Sequence, residues 1–411
     1  MSLSESLSSP SASITPQPSI QRWFVVGVLA LTTVLALNIG DLIDWRRSAT
    51  FLVGVLLGFA LYRAAFGFTA PWRRFITERR GAGFRATLVM LGTAAVAMIL
   101  LGSFGGYATT THGVGPSLLI GAFIFGLGMQ LAGCCGSGTA YVAGGGSARI
   151  MIALVFFIVG SVWGSVDAPA WWGLPIYARF SLVEVAGPWL AIGASLLGLA
   201  ALGALSWWLE KRRHGQVDGV FPAVPEATDG PVWRRALTGR WSALTGALVL
   251  GLLTGLVVVV SLQPWGITFG FTLYGAKIAT ALGIDLAAFS APFSNTSFWG
   301  QGWAQGALDQ PIWANNAATT TIGLFLGAAL AAGLSGKWKP SLKGVGALSI
   351  LAAVLGGLLM GYGARISTGC NIGAMVIGIA SGSLHGWAWM GLAFLGSIAG
   401  VFSRPLFRLA N

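Results

Sequence analysis

The sequence predicts an all-α polytopic membrane protein built from two inverted repeats, with about 9–10 transmembrane helices and several short re-entrant or half helices. Only 9% of its 411 residues are charged and 55% are hydrophobic, whereas a soluble domain carries about 25% charged residues. Long apolar stretches follow one another along the chain, and two short motifs occur once in each half. These three observations predict the fold class.

Ten apolar stretches are long enough, or nearly long enough, to cross a bilayer as helices. They fall near residues 24–42, 51–69, 84–104, 116–133, 149–166, 186–206, 242–262, 316–335, 344–363 and 386–403. Three further stretches are interrupted by glycine and too short to cross, which predicts half helices near 136–147, 267–283 and 371–384. The 61 glycines also predict helices that pack closely through small residues.

The formal net charge of +12 would suggest nucleic-acid binding in a soluble protein. Here the basic residues are concentrated in short polar segments between apolar stretches, at 71–85, 207–240, 337–343 and 404–408. Such segments mark the cytoplasmic side of a membrane protein. The pattern therefore excludes a nucleic-acid partner, predicts a lipid bilayer as the surroundings, and places both termini in the cytoplasm.

The segments that should face outward are nearly free of Lys and Arg, at 105–115, 167–185 and 284–315. The loop that holds Arg46 and Arg47 is the exception, because the order of the spans also places it outside.

The polar segments divide the chain into four parts. Residues 1–20 are rich in Ser and Pro and predict a disordered tail, and they lack the basic region of a signal peptide. Residues 207–240 form the longest polar interruption and predict a cytoplasmic linker. The linker separates a first membrane half, 21–206, from a second membrane half, 241–411.

Two motifs occur in the same order in both halves. FGFT occurs at 66–69 and again at 269–272. GMQLAGCCGSG at 128–138 aligns without gaps on GARISTGCNIG at 363–373, which pairs Cys135 with Cys370. The second half has about 30 additional residues between its two motifs.

The charges that flank the cysteine motifs give the two repeats opposite directions. The helix that leads to Cys135 starts from an uncharged outer segment, whereas the helix that leads to Cys370 starts from the basic segment KWKPSLK. Inverted repeats with broken helices that meet near the midplane are found in many transporters.

The three cysteines lie only in these glycine-rich breaks, at Cys134, Cys135 and Cys370. A buried neutral thiol is a soft, polarizable group and a weak hydrogen-bond donor, which suits a sulfur-bearing anion better than a hard oxyanion. The alternative is that these cysteines only pack, above all Cys134, because Gly369 occupies its place in the second motif. No histidine lies near a cysteine in a ligand spacing, so neither a metal nor a cofactor is predicted.

A few polar residues interrupt the apolar stretches. Gln130 and Arg365 each lie in one copy of the cysteine motif, Asn371 follows Cys370 directly, and Arg63 and Lys277 lie near the two FGFT sequences. Ionisable groups inside a membrane usually face a cavity or a partner, and cations favour an anionic substrate. The cations could instead extend to an interface, and Asn371 could satisfy the broken backbone.

These motifs, above all RISTGCNIGAMVIGIASGSLHGW, resemble the YeeE/YedE (sulphur-transport) family of bacterial inner-membrane proteins over about residues 50–405. The resemblance implies thiosulfate uptake through two inverted halves, with cysteines that pass the ion along by S–H hydrogen bonds. By position, Cys135 and Cys370 match the family's cysteines. The family often has a further cysteine where this chain has Gly67 in AAFGFTAPWRRF. A TusA-like sulfur-carrier protein is the implied cytoplasmic partner.

The predicted function is therefore inner-membrane uptake of a small sulfur-containing anion, with thiosulfate first, and not enzymatic catalysis. The chain has no GxxxxGK[ST] motif for ATP binding. Three alternatives stay open: a membrane sulfur-relay or redox protein that uses persulfide or disulfide chemistry, a transporter of a selenium species, and a structural subunit in which the cysteines only pack.

Overall fold

The computed structural model describes residues 19–219, 231–291 and 294–410. Sixteen α-helices occupy this part of the chain and are numbered α1 to α16 in the order Arg22–Leu42, Trp45–Ala64, Thr69–Glu78, Ala82–Gly105, Pro116–Ala132, Gly136–Gly144, Ala148–Trp172, Leu182–His214, Val232–Thr238, Ala243–Ser261, Thr268–Ala281, Gly302–Asp309, Asn316–Leu334, Ala347–Ile366, Ile377–Ala380 and Leu384–Ser403. A π-helical turn, Asn371–Val376, precedes α15. Short 3-10 turns lie at Leu286–Ala288, Ile312–Ala314 and Arg404–Phe407.

The polytopic all-α class is confirmed. Ten helical segments among the described residues are long and apolar enough to cross a membrane, which matches the predicted spans. The three glycine-broken stretches form short helices, namely α6, α11, and the π-helical turn with α15. Of the predicted tail, residues 1–18 lie outside the described residues, as do residues 220–230 of the predicted linker.

Helix α2 differs from its predicted span at both ends. The apolar stretch began at residue 51, but α2 begins at Trp45 because the side chain of Asp44 accepts a hydrogen bond from the backbone N–H of Arg47. It ends at Ala64 because Ala65 adopts a left-handed backbone with φ of 45°. The Arg47 guanidinium, which contradicted the charge rule for this loop, donates to the side-chain oxygen of Asn316 in α13.

Helix α8 extends beyond its predicted end into the segment assigned to the linker. It continues to His214 because Glu210 is fully buried and anchors it. The Glu210 carboxylate accepts a hydrogen bond from Gly81 N–H at 3.1 Å and from Arg85 at 2.8 Å. A cation-rich last turn also suits a helix C-terminus. The division into membrane halves at 207–240 stays a prediction.

Close helix contacts are made by glycine against the carbonyl oxygens of a neighbouring helix. A Cβ atom at Gly58 of α2 would overlap the carbonyl of Leu324 in α13, and a Cβ atom at Gly327 of α13 would overlap the carbonyl of Val55 in α2. In two other helix pairs, each helix likewise places a glycine against a carbonyl oxygen of its partner. These glycines are Gly126 and Gly396 between α5 and α16, and Gly160 and Gly361 between α7 and α14. The glycine content therefore allows the helix backbones to approach each other closely.

We expect Gly327→Ala to lower the thermal stability of the purified protein. The added methyl group would force α2 and α13 apart, and overpacking of this kind costs about 1–3 kcal/mol. Gly193→Ala in α8 is the matched control, because nothing lies within 4 Å of its Cβ position. The measurement is the melting temperature in detergent. An equal melting temperature for the two variants would contradict the packing role.

The helix contacts occur in reciprocal pairs. Helix α2 packs on α13, and α10, which holds the same place in the second predicted repeat as α2 in the first, packs on α4. In the same way α5 packs on α16, and its counterpart α14 packs on α7. The shorter helices show the same correspondence. Helix α3 packs on α16 and its counterpart α11 packs on α7, while α6 packs on α13 and its counterpart α15 packs on α4. A two-fold relation between the halves would produce this pattern. The opposite insertion of the halves in the membrane stays a prediction.

Candidate functional site

The two motif cysteines occupy the same place in their breaks. Cys135 is the residue before α6, with φ of −99° and ψ of −173°, and Cys370 is the residue before the π-helical turn, with φ of −95° and ψ of −166°. The preceding helices end in left-handed residues, Gly133 with φ of 85° and Thr368 with φ of 67°. Each break therefore turns the chain back into the protein and presents one thiol at the start of a short helix.

The two breaks are in direct contact. Sγ of Cys370 lies 2.9 Å, and its Cβ 3.0 Å, from the point where a Cβ atom at position 136 would stand. Gly136 follows Cys135, so the absence of a side chain there lets the second cysteine approach the first. All three cysteines are free thiols and buried, and the Sγ of Cys135 lies 3.6 Å from Oγ of Ser137.

Several buried polar atoms next to Cys370 have no hydrogen-bond partner among the described residues. Asn371 is fully buried, and both its amide nitrogen and its amide oxygen are unpartnered. The Thr268 hydroxyl contacts the Cys370 thiol but makes no hydrogen bond of normal geometry within the described residues, and the Thr368 hydroxyl is likewise without a partner there. Buried polar groups without partners are rare and costly, so this group is suited to a polar ligand.

Gln130 links the first cysteine motif to the start of α3. Its amide nitrogen donates to the carbonyl oxygen of Thr69 at 3.2 Å, while its amide oxygen and the Thr69 hydroxyl have no partner in the described part of the chain. Its backbone carbonyl accepts a hydrogen bond from Arg404 at 2.6 Å. Gln130 is thus held between three elements and keeps one free acceptor.

Arg365 lies in the last turn of α14, five residues before Cys370. Its guanidinium carbon lies 5.0 Å from the ring centre of Phe298 and 5.8 Å from those of Trp172 and Phe269. Its Nε is buried and unpartnered, and no described carboxylate forms an ion pair with it. Aromatic faces partly compensate the charge, but the cation has no anion beside it.

Two further predicted residues are Cys134, which is part of the first cysteine motif, and Gly67, which lies near the helix that follows it. Cys134 is 4% exposed, and its Cβ lies 3.0 Å from the Cβ position of Gly138. At Gly67, a Cβ atom would meet only Oη of Tyr141, at 3.5 Å. Position 67 is therefore open enough to hold a side chain.

The remaining two predicted cations bond elsewhere. Lys277 donates to the carbonyl oxygens of Leu308 and Gln310, at 2.6 and 2.8 Å, and so holds the C-terminal end of α12. Arg63 donates to the carbonyl oxygen of Thr238 at 3.0 Å. Their contacts do not place either of them with the two thiols.

Sequence reasoning missed Thr268. The alignment of the two FGFT sequences paired Thr69 with Thr272, but Thr69 is the first residue of α3 whereas Thr272 is the fifth residue of α11. The residue at the start of α11 is Thr268. The sequence TFGFT contains a second threonine that could have revealed this shift.

Comparison with known proteins decides the family. The sequence profile described as "Sulphur transport" matches residues 63–399. The chain belongs to this family. It is 28% identical over 355 residues to a protein of Escherichia coli (strain K12) named "Thiosulfate transporter TsuA", a match that covers 86% of this chain and 92% of the relative.

Two further relatives extend the comparison. A protein of Spirochaeta thermophila with the same name is 27% identical over 357 residues, covering 82% of this chain and 92% of the relative. The "Probable transporter YedE" of Escherichia coli (strain K12) is 26% identical over 174 residues, which is 41% of this chain and 40% of that protein. The family and these names confirm the predicted class, a multi-pass membrane transporter and not an enzyme.

Proposed function

We propose that this sulphur transport family member takes up thiosulfate across a bacterial inner membrane, along a path that passes Cys135 and Cys370. The observation that carries the proposal is the contact between the two cysteine breaks at Gly136, with the unpartnered amide of Asn371 beside Cys370. Two relatives named as thiosulfate transporters support the substrate.

The donors near the thiols match the two ends of thiosulfate. Its terminal sulfur is soft and accepts weak S–H hydrogen bonds, so neutral thiols at Cys135 and Cys370 can hold it without reacting with it. Its oxygens accept stronger hydrogen bonds, which the Asn371 amide and the Thr268 hydroxyl can donate. Binding the ion would satisfy polar atoms that have no partner among the described residues.

Arg365 supplies the positive charge. The guanidinium approaches no carboxylate of the described residues, and an uncompensated cation in a membrane protein favours an anion. In the predicted orientation, Arg365 lies nearer the outer face than the basic loops do, so it attracts the dianion before the thiols receive it. Gln130 positions the start of α3 beside the first motif.

In the orientation that the basic segments predict, both termini lie in the cytoplasm. Without an ATP-binding motif, net uptake follows the concentration gradient of the ion or its consumption in the cytoplasm. A TusA-like sulfur carrier at the cytoplasmic face would provide such consumption.

The test is growth and uptake of ³⁵S-thiosulfate in a host that lacks its own thiosulfate and sulfate uptake. We expect the wild-type chain to restore both, and Cys135→Ala and Cys370→Ala each to lower the uptake rate by about tenfold or more, because each removes one donor to a buried ligand. Cys134→Ala should keep most of the uptake, since Ala retains the Cβ that packs against Gly138.

Immunoblots must show equal amounts of each variant in the membrane. Wild-type uptake in all cysteine variants would contradict the role of the thiols but keep a transporter. Absence of wild-type rescue would contradict thiosulfate as the substrate. A persulfide on the purified protein, found by mass spectrometry together with sulfur transfer without ion uptake, would favour the sulfur-relay alternative.

A further inference from the structure

A cavity lies away from the cysteine breaks, at the ends of α2, α6 and α13. It has a volume of about 750 Å³, and residues on both sides of the α9 C-terminus cover part of it. Five cations from separate parts of the chain line it, and we call it the basic vestibule: Arg22, Arg63, Arg234, Arg240 and Lys337.

No carboxylate compensates these charges within the described residues. None of the lining residues is Asp or Glu, and the ion pairs found in residues 19–219, 231–291 and 294–410 involve other cations. A concave space that is lined by positive charges raises the local concentration of anions. A volume of about 750 Å³ is large enough for a small anion to enter with part of its hydration shell.

Arg63 is a buried cation of the vestibule, which distinguishes the vestibule from an exposed basic surface. It is only 3% exposed, so it does not simply extend into solvent to mark the cytoplasmic side. Its guanidinium donates to the carbonyl oxygens of Leu237 and Thr238 at the end of α9, and its Nε has no partner among the described residues. Arg63 also donates to Oγ of Ser335 at 2.5 Å, so three of its five N–H groups have partners, while the Nε–H has none among the described residues.

Tyr141 connects the vestibule with the cysteine breaks. It lines the vestibule and lies on α6, six residues after Cys135, which corresponds to about 9 Å along a helix at 1.5 Å per residue. Its hydroxyl faces Gly67. An ion that left the thiols toward the basic loops would pass this hydroxyl before it entered the vestibule.

We infer that the basic vestibule is a second anion-binding site, occupied by the dianion after it leaves the thiols and before it is released. This inference rests on the proposed function. The vestibule has cations and hydroxyl groups but no thiol, so it recognises charge and not sulfur. It therefore binds sulfate as well as thiosulfate, whereas the cysteine breaks select thiosulfate.

The test is equilibrium dialysis of the purified full chain, in nanodiscs of neutral lipid, against ³⁵S-sulfate. The wild-type protein should bind sulfate, with an affinity that falls as NaCl is added. The double variant Arg240→Gln with Lys337→Gln should bind sulfate about tenfold more weakly, because two lining charges are lost. Both residues are exposed, so the fold should persist, which gel filtration checks.

The matched control removes two cations that lie outside the vestibule. Lys211→Gln with Arg212→Gln changes the net charge equally, and these side chains stack on Trp207 and Trp208. Sulfate binding should be unchanged in this control. Equal losses in both double variants would overturn the site and assign binding to general surface charge, and absence of sulfate binding to the wild type would overturn it as well.

Binding of a second ligand, thiosulfate, distinguishes failure of the vestibule from failure of the proposed function. With ³⁵S-thiosulfate, the wild type should bind two ions per chain, and Cys135→Ala with Cys370→Ala should keep only the salt-sensitive one. Thiosulfate uptake that fails in the wild type while sulfate binding survives would reject the proposed function alone. Uptake that depends on the cysteines, without a salt-sensitive second ion, would reject the vestibule alone.

Discussion

Gly136→Ala should nearly abolish thiosulfate uptake while the protein still reaches the membrane. The new methyl group would lie 2.9 Å from Sγ and 3.0 Å from Cβ of Cys370. The thiol can rotate away, but the Cβ atom is fixed by the backbone, so the π-helical turn has to move. We expect the uptake rate to fall by about tenfold or more, since small misplacements of binding groups have large effects.

The control is Gly391→Ala in α16, where nothing lies within 4 Å of the Cβ position. Both variants receive a methyl group in a membrane protein, but only one receives it against Cys370, at the contact between the two cysteine breaks. The melting temperature of Gly136→Ala should fall only moderately, because overpacking costs about 1–3 kcal/mol. Full uptake by Gly136→Ala would show that the ion does not pass between the two cysteine breaks.

Arg365→Gln should raise the KM for thiosulfate by about 10–100-fold, because a hydrogen bond to a charged group contributes about 1.5–3 kcal/mol. Arg365→Lys keeps the charge but not the planar fork of donors, so its KM should be intermediate. The melting temperature of Arg365→Gln should hold or rise, because a half-buried cation without an anion is costly to the folded state. A loss of transport without a loss of stability is the signature of a binding role.

Arg46→Gln is the control for this second prediction. Arg46 is an exposed cation that the order of the spans places on the same outer face. Its removal should leave the KM unchanged. An unchanged KM for Arg365→Gln together with a lower melting temperature would contradict the binding role and indicate that Arg365 serves to pack Trp172, Phe269 and Phe298.

The spans could be predicted from the sequence because each is an apolar stretch of sufficient length, and the place of the cysteines could be predicted because glycine marks both breaks. Helix ends depend on single contacts that hydropathy does not report. The cap from Asp44 starts α2 early, and the buried Glu210 extends α8.

The surroundings of the site residues were beyond prediction for a different reason. The rings around Arg365 come from α7, α11 and the segment before α12, which are distant in sequence. The same holds for the unpartnered amide of Asn371, since a missing hydrogen bond is a property of the whole neighbourhood. Lys277 resembled Arg365 in the sequence, but carbonyl oxygens of the 302–310 region occupy its ammonium group.

The glycine contacts between helices limit how this protein can move. The pairs α2–α13, α5–α16 and α7–α14 each join one helix that precedes the 207–240 segment to one that follows it. Their backbones are so close that one helix cannot slide along the other without steric overlap. Rocking of one half against the other would have to separate all three pairs together. Motion during a transport cycle is therefore expected in the short broken helices, and amide hydrogen exchange should be fast there while the interlocked pairs stay protected.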